Sequence, residues 1–194
     1  ASLPIKDIGA LCRKKGVIFI LDAAQSAGHL PINMNEMNID ILCAPAHKGL
    51  FGIQGCGFMM IRQGLVLEPM IVGGSGVNSL LASMPDDPPE RYEAGTLCVP
   101  SIASLSEGLK FVTERGIDAI REHECKLFER LSDMIFSLPG AKVYAKDHKG
   151  STLLFNLNGV SSEKLGRLLD EKGICVRSGF HCSPMGHNVL QTGE

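Results

Sequence analysis

Short apolar runs separated by polar, glycine-rich connections make up the first part of the chain. The pattern predicts one helix over Ile5–Lys15 and short strands over 17–21, 39–44, 57–62 and 69–72. The first apolar run ends on Asp22, as expected for a buried parallel strand that presents an acid at the carboxyl edge of a sheet. This part of the chain therefore reads as α/β.

A long loop over 73–96, rich in glycine, serine and proline, interrupts this pattern. Loops of this length in compact domains are usually functional or mobile. A helix is predicted over 101–116 with Ser101 as its cap, followed by a longer amphipathic helix over 117–138. The apolar face of the longer helix comprises Ile120, Leu127, Leu131 and Ile135.

The last third of the chain contains both the apolar spacing typical of helices and the short apolar runs typical of strands. Its predicted elements are strands over 141–145 and 151–157, a helix over 161–172 and a strand over 173–177. We therefore expect an α/β domain over 1–116 and a smaller α+β domain over 117–194.

Composition excludes several classes of protein. The 194 residues carry a net charge of −2, so no basic surface indicates a nucleic-acid partner. No apolar run approaches the ~20 residues that a membrane-spanning helix needs. The seven cysteines are scattered and odd in number, which favours reduced thiols in a cytoplasm over a disulfide framework.

Candidate chemistry lies at the ends of two predicted strands. Asp22 follows the first strand, and Lys48 follows the second within a glycine-containing segment. An acid and an amine at one sheet edge suit pyridoxal phosphate, because the lysine can hold the cofactor as a Schiff base while the acid keeps the pyridine nitrogen protonated. Taken singly, each residue has a simpler interpretation, because Asp is common in caps and turns and Lys is usually a solvated surface group.

Four motifs occur together along the chain: DAAQSAG (22–28), AHKG (46–49), RYEAGT (91–96) and VRSGFHC (176–182). In this order they resemble the class V aminotransferase family, and within it the cysteine desulfurase and selenocysteine lyase branch. The resemblance implies part of a pyridoxal-phosphate-dependent transferase large domain of fold type I over 1–116, followed by a small, incomplete C-terminal domain over 117–194. It also implies that the chain is a C-terminal fragment, without the family's N-terminal part and without the arginine near its extreme C-terminus that binds the substrate carboxylate.

The resemblance assigns cofactor-binding roles to five residues. Asp22 would bind the pyridinium nitrogen, Gln25 the phenolic oxygen and His47 the phosphate. Lys48 would hold the cofactor and move the substrate's α-proton. Thr96 would reach the phosphate bound in the opposite subunit, which implies a homodimer.

Several of these residues have alternative interpretations. Gln25 would also fit as a polar residue in the first turn of the next helix, His47 as a structural histidine and Thr96 as a turn residue after Gly95. One position departs from the pattern of the desulfurases. Pro45 stands three residues before the lysine, where a Ser or Thr hydroxyl binds the phosphate, and a proline offers neither a hydroxyl nor a backbone N–H.

Cys182 narrows the function that the resemblance implies. In the family this cysteine attacks the sulfur of the substrate, leaving alanine and a persulfide on the enzyme, and Arg177 and His181 would activate the thiol or hold its loop. The alternative is an exposed thiol without a role. A metal site built from Cys175, His181, Cys182 and His187 is not expected, because their spacing matches no zinc pattern.

The sequence leaves three functions open. The first is a cytoplasmic cysteine desulfurase that passes sulfur from L-cysteine to an acceptor protein for iron–sulfur or thio-cofactor synthesis. The second is a selenocysteine lyase, which acts on L-selenocysteine, or another class V enzyme such as an aminotransferase or β-lyase. The third is a catalytically silent piece that acts only as a folded interaction domain.

Overall fold

The computed structural model describes residues 3–77, 80, 82–144 and 151–192. The chain forms two compact units, residues 2–120 (the N-terminal unit) and residues from 121 onward (the C-terminal unit). Its elements in order are α1 (Ile5–Lys15), β1 (Ile20–Asp22), β2 (Ile41–Pro45), β3 (Gly57–Ile61), a 3-10 turn (Glu90–Tyr92), α2 (Val99–Arg115), α3 (Ile117–Phe136), β4 (Ala141–Tyr144), β5 (Leu154–Leu157), α4 (Ser162–Asp170) and α5 (Pro184–Leu190).

The N-terminal unit is built on a three-stranded sheet in the order β1-β2-β3. β1 pairs with β2 in parallel, so that Asp22 lies opposite Cys43, and β3 pairs with β2 in antiparallel. The central strand β2 is buried or half-buried at every position and contributes Leu42 and Ala44 to the core. The core residues are Leu21, Ala23, Ile39, Leu42, Ala44 and Leu50.

A partly buried ion pair links the three strands at the end opposite to the candidate chemistry. One oxygen of Asp40 accepts a hydrogen bond from the backbone N–H of Phe19 at 2.8 Å, and the other accepts from Nε of Arg62 at 2.6 Å. The bond from Phe19, followed by that from Arg62, lowers the pKa of the Asp40 carboxyl below its ordinary value. Asp40 thereby links the residues that precede β1 and β2 to the residue that follows β3.

The C-terminal unit contains most of α3, the β4–β5 hairpin, α4 and α5. β4 and β5 pair in antiparallel, with Ala141 opposite Leu157. Ser161 caps α4 by accepting a hydrogen bond from the N–H of Lys164 at 3.3 Å. The hydroxyl of Tyr144 donates to the carbonyl of Thr192 at 3.2 Å, which ties the end of the described chain to the hairpin.

Several sequence predictions are confirmed and others are wrong. The helix at Ile5–Lys15 and the parallel pairing of the first two strands are confirmed. The strands predicted over 69–72 and 173–177 do not form, because no strand in the described part of the chain pairs with either run. Residue 145 of the predicted strand 141–145 lies outside the described residues, and α5 was not predicted.

Two further predictions require correction in detail. β1 is shorter than the run 17–21, and Val17 and Ile18 are about half exposed, at 56% and 49%, rather than buried. Ser101 does not cap α2. The helix begins earlier, at Val99, because Pro100 suits its first turn, and Ser101 is buried with its hydroxyl donating to the carbonyl of Gln54 at 3.1 Å.

Candidate active site

A cleft of about 960 Å³ lies along β2 and β3 in the N-terminal unit and reaches the carboxyl ends of β1 and β2. This volume is at the upper end of the range of small-molecule sites, roughly 300–1,000 Å³. The residues that line it are Asp22, Cys43, Ala44, Pro45, His47, Gly55, Cys56, Gly57, Phe58, Met59, Ile61, Pro88, Pro89, Tyr92 and Glu93. Carboxyl ends of parallel strands are the usual place for ligands in α/β proteins.

Asp22 is the last residue of β1 and supplies the carboxylate of the cleft. Its Oδ1 accepts a hydrogen bond from the backbone N–H of Ala24 at 2.9 Å. One oxygen of Asp22 therefore has the role in a turn that the simpler interpretation of this residue predicted. Oδ2 takes part in none of the hydrogen bonds found among the described residues, so one oxygen remains for a ligand that carries a proton.

His47 and Lys48 lie two and three residues after the end of β2, at the same edge of the sheet as Asp22. His47 lines the cleft. Lys48 is exposed, and its carbonyl accepts from the N–H of Phe51 at 3.0 Å, which closes a tight turn. Within the described part of the chain, the lining of the cleft includes neither Lys48 nor Gln25, which is exposed in the turn after β1.

Close packing of two glycines holds the turn after β1 against the turn after β2. Gly28 has a φ of 85°, and a Cβ atom at this position would lie only 1.9 Å from the carbonyl oxygen of Gly49. Gly108 of α2 approaches the same turn, since a Cβ there would lie 1.9 Å from the carbonyl oxygen of Leu50. The segment that carries Lys48 is thus packed between the turn after β1 and helix α2. Its backbone approaches Gly28 and Gly108 so closely that a side chain at either glycine would collide with it.

One wall of the cleft comes from the long loop and is anchored by the RYEAGT motif. The hydroxyl of Tyr92 accepts from the N–H of Leu67 at 3.0 Å, and Nε of Arg91 donates to the Leu67 carbonyl at 3.2 Å. Further along, the N–H of Gly95 donates to the carbonyl of Gly74 at 2.7 Å. Thr96 is exposed and is not part of the lining.

Sequence reasoning missed two kinds of residue that line the cleft. Tyr92 and Glu93 lie inside a motif whose only predicted site residue was Thr96, so the motif itself was the signal. Cys56 comes from the glycine-rich segment after Lys48 and reaches the cleft because β3 turns back along β2. No local sequence pattern predicts that β3 pairs in antiparallel with β2.

Cys182 belongs to the C-terminal unit, where it is exposed in the loop before α5. Nε of Arg177 donates to Nδ1 of His181 at 2.8 Å, within the same loop. All seven cysteines are free thiols. In the described residues no three His, Cys, Asp or Glu side chains are grouped so that they could hold a metal ion.

Comparison with known proteins is consistent along the whole chain. The aminotransferase class-V family model matches residues 1–193. A probable cysteine desulfurase of Methanothermobacter thermautotrophicus is 33% identical over 97% of this chain and 50% of its own length. One from Pyrococcus abyssi is 32% identical over 92% of this chain and 46% of its own length. The chain thus spans about half the length of the curated relatives it matches.

Solved structures agree in fold. The apo cysteine desulfurase of Thermococcus onnurineus superposes with a TM-score of 0.89 at 29% identity, over 98% of this chain and 49% of that one. The Escherichia coli desulfurase CsdA, at 24% identity and a TM-score of 0.84 over 93% of this chain and 46% of its own, shows the same fold. None of the described helices is long and apolar enough to cross a membrane. The predicted fold class is confirmed, and the chain belongs to the aminotransferase class-V family, whose members are pyridoxal-phosphate-dependent enzymes.

Proposed function

We propose that this chain forms part of a pyridoxal-phosphate-dependent cysteine desulfurase. The observation that carries the proposal is the cleft at the sheet edge, which Asp22 and His47 line together. Lys48 is the next residue after His47. The similarity to cysteine desulfurases along nearly the whole chain supports the same choice within the family.

The residues of the cleft fit the cofactor. Asp22 offers a carboxylate oxygen to the protonated ring nitrogen, and His47 offers a ring N–H to the phosphate. Lys48 carries its amine on a flexible four-carbon stem, which can turn from solvent toward the cleft that the preceding residue lines. Gln25 would bind the phenolic oxygen from the turn after β1, and Thr96 would contact the phosphate in a second subunit of a homodimer.

Pro45 limits how the phosphate is held. It pairs with Gly57 in the ladder and lines the cleft, but it has no hydroxyl or N–H to donate. The phosphate therefore depends on His47 and on groups beyond β2.

The proposed reaction removes sulfur from L-cysteine. Pyridoxal phosphate supplies, when bound, a ring that accepts electrons from the substrate's α-carbon. Lys48 holds the cofactor and moves the α-proton, while Cys182 attacks the substrate's sulfur as a thiolate. An S–S bond to Cys182 forms as the C–S bond breaks, and the electron pair of the C–S bond stays with the carbon, which takes up a proton and becomes the methyl group of alanine. The outer sulfur of the persulfide then passes to a thiolate of an acceptor protein in the cytoplasm, and Cys182 is released as a thiolate. We also propose, from the sequence, that residues 1–116 belong to the cofactor domain and residues 117–194 to a small domain.

The test combines cofactor absorbance with sulfide release. We expect a visible absorbance band on adding pyridoxal phosphate to the protein, and its loss in Lys48→Ala but not in the exposed control Lys110→Ala. With L-cysteine, sulfide release should stop in Cys182→Ala and persist in Cys175→Ala, which removes another exposed thiol of the same unit. A band without sulfide release that depends on Cys182 would favour a lyase or aminotransferase, and no band at all would refute cofactor binding.

A further inference from the structure

The loop that carries Cys182 has an internal hydrogen bond that fixes one of its side chains. Nε of Arg177 donates to Nδ1 of His181 at 2.8 Å. Because Nδ1 accepts this bond, the ring of His181 must carry its proton on Nε2. The imidazole therefore presents an N–H donor, and not a basic nitrogen, on the edge that faces away from Arg177.

The backbone of the same loop is in a conformation that needs support. His181 has a φ of 52°, in the left-handed region that residues with a Cβ rarely adopt, and Gly179 has a φ of 93°. His181 directly precedes Cys182, so its backbone angles set the direction in which the chain leaves toward the thiol. The bond from Arg177 spans this strained turn and opposes its relaxation.

Contacts of Phe180 and Ser178 hold the loop against other parts of the C-terminal unit. The rings of Phe180 and His187 meet edge to face at 5.1 Å, and Nδ1 of His187 is 2.9 Å from Oγ1 of Thr192. At the other end, Ser178 packs on Gly166 of α4, where a Cβ would lie 3.0 Å from the serine hydroxyl. Arg177 and His181 thus close a short segment that Ser178 and Phe180, which lie within it, anchor to α4 and α5.

We propose that Arg177 is a positioning residue for Cys182. It acts through His181, which it holds in the left-handed conformation and with the proton on Nε2, and so it orients the chain that delivers the thiol. This inference rests on the proposed function in one respect, that Cys182 is the nucleophile.

The first test reads the hydrogen bond directly. Nitrogen-15 NMR of the histidine rings should show an unprotonated Nδ1 and a protonated Nε2 for His181 in the protein, and a mixture of tautomers in Arg177→Gln. Backbone hydrogen exchange of the peptide spanning 177–182 should become about tenfold faster in that variant, while Arg167→Gln, an exposed change on α4, leaves both signals unchanged. A protonated Nδ1 in the wild type would overturn the proposal.

The second test separates positioning from general stability. Arg177→Gln should lower kcat for L-cysteine about tenfold, equivalent to about 1.4 kcal/mol of barrier, with KM and the cofactor absorbance unchanged. His181→Asn should retain most activity, because asparagine tolerates the left-handed region and its amide oxygen accepts from Arg177, whereas His181→Ala should not. Equal activity of the two His181 variants would refute the proposed role.

The two tests also separate this inference from the function on which it rests. If the wild-type protein releases no sulfide, the proposed function fails, and the NMR and exchange measurements still decide whether Arg177 holds His181 and the loop.

Discussion

Replacing Gly28 by alanine tests whether glycine contact at the sheet edge builds the site. Gly28 has a φ of 85°, and the new Cβ would lie 1.9 Å from the carbonyl oxygen of Gly49. Gly64 is a matched control, because its φ of 82° is nearly the same and a Cβ there would have no neighbour within 4 Å. Both residues belong to the N-terminal unit.

The magnitude follows from two separate costs. A residue with a Cβ in the left-handed region loses about 1–2 kcal/mol, and both variants bear this cost. Only Gly28→Ala must also move the turn after β1 away from the turn after β2, because 1.9 Å is far inside the 3.0 Å that real Cβ atoms keep. Overpacking of this kind costs about 1–3 kcal/mol. We therefore expect a loss of about 2–5 kcal/mol for Gly28→Ala and about 1–2 kcal/mol for Gly64→Ala.

Urea unfolding of both variants measures the difference, and an unchanged m value shows that the same surface is exposed on unfolding. Titration with pyridoxal phosphate adds a functional measurement. Gly28→Ala separates the turn that follows Asp22 from the turn that holds Lys48, so it should weaken cofactor binding, while Gly64→Ala should not. Equal losses of stability in the two variants would show that the contact between the two turns contributes nothing, and the packing argument would be refuted.

Three further predictions follow from the same structure. The pKa of Asp40 is lowered in the folded protein, so its stabilising contribution is present above the ordinary pKa of 3.8 and is lost as pH falls through the lower folded value; urea midpoints at a series of pH values should show a weaker loss in acid for Asp40→Asn than for the wild type. Gly108→Ala should destabilise the protein by about 1–3 kcal/mol in urea, because its Cβ would collide with the carbonyl of Leu50, and an unchanged midpoint would contradict the contact. Pro45→Ser should lower the Kd for pyridoxal phosphate several-fold by adding a hydroxyl worth about 1 kcal/mol, as measured by fluorescence titration; no gain would mean that the phosphate lies elsewhere.

Local patterns predicted the elements whose stability is largely local. Helix α1 was predicted with its observed bounds, Ile5–Lys15, because it ends where Gly16 adopts a left-handed conformation that stops a helix. Strands fared less well, because the apolar runs at 69–72 and 173–177 resemble the run that forms β2 but find no partner strand in the described residues. The prediction that Val17 and Ile18 are buried was wrong, because they precede the short strand β1, which pairs with β2 alone among the described strands.

The candidate site divides along similar lines. Motifs along the chain were enough to identify the family and to single out Asp22, His47 and Lys48, because a family's chemistry keeps its residue types and their order. That Asp22 and His47 line one cleft follows from the parallel pairing of β1 and β2, which places both strand ends at one edge. Tyr92 joins them through a loop anchored on Leu67, and its only sequence signal was the motif in which it lies. Cys56 joins them because β3 returns along β2, and this return has no local sequence signal.

The amino-acid sequence by itself determined the family, the first helix and the parallel pairing of the first two strands, and it singled out the candidate reactive groups, whose roles stay predictions. The tertiary structure alone decided which oxygen of the Asp22 carboxylate accepts a hydrogen bond from Ala24, how closely Gly28 approaches Gly49, and that Arg177 donates a hydrogen bond to His181. The physical reason is the range of the interactions. Residue type and periodicity act within a few positions of the chain, whereas hydrogen-bond geometry and backbone contact at these distances exist only once separate segments have packed together.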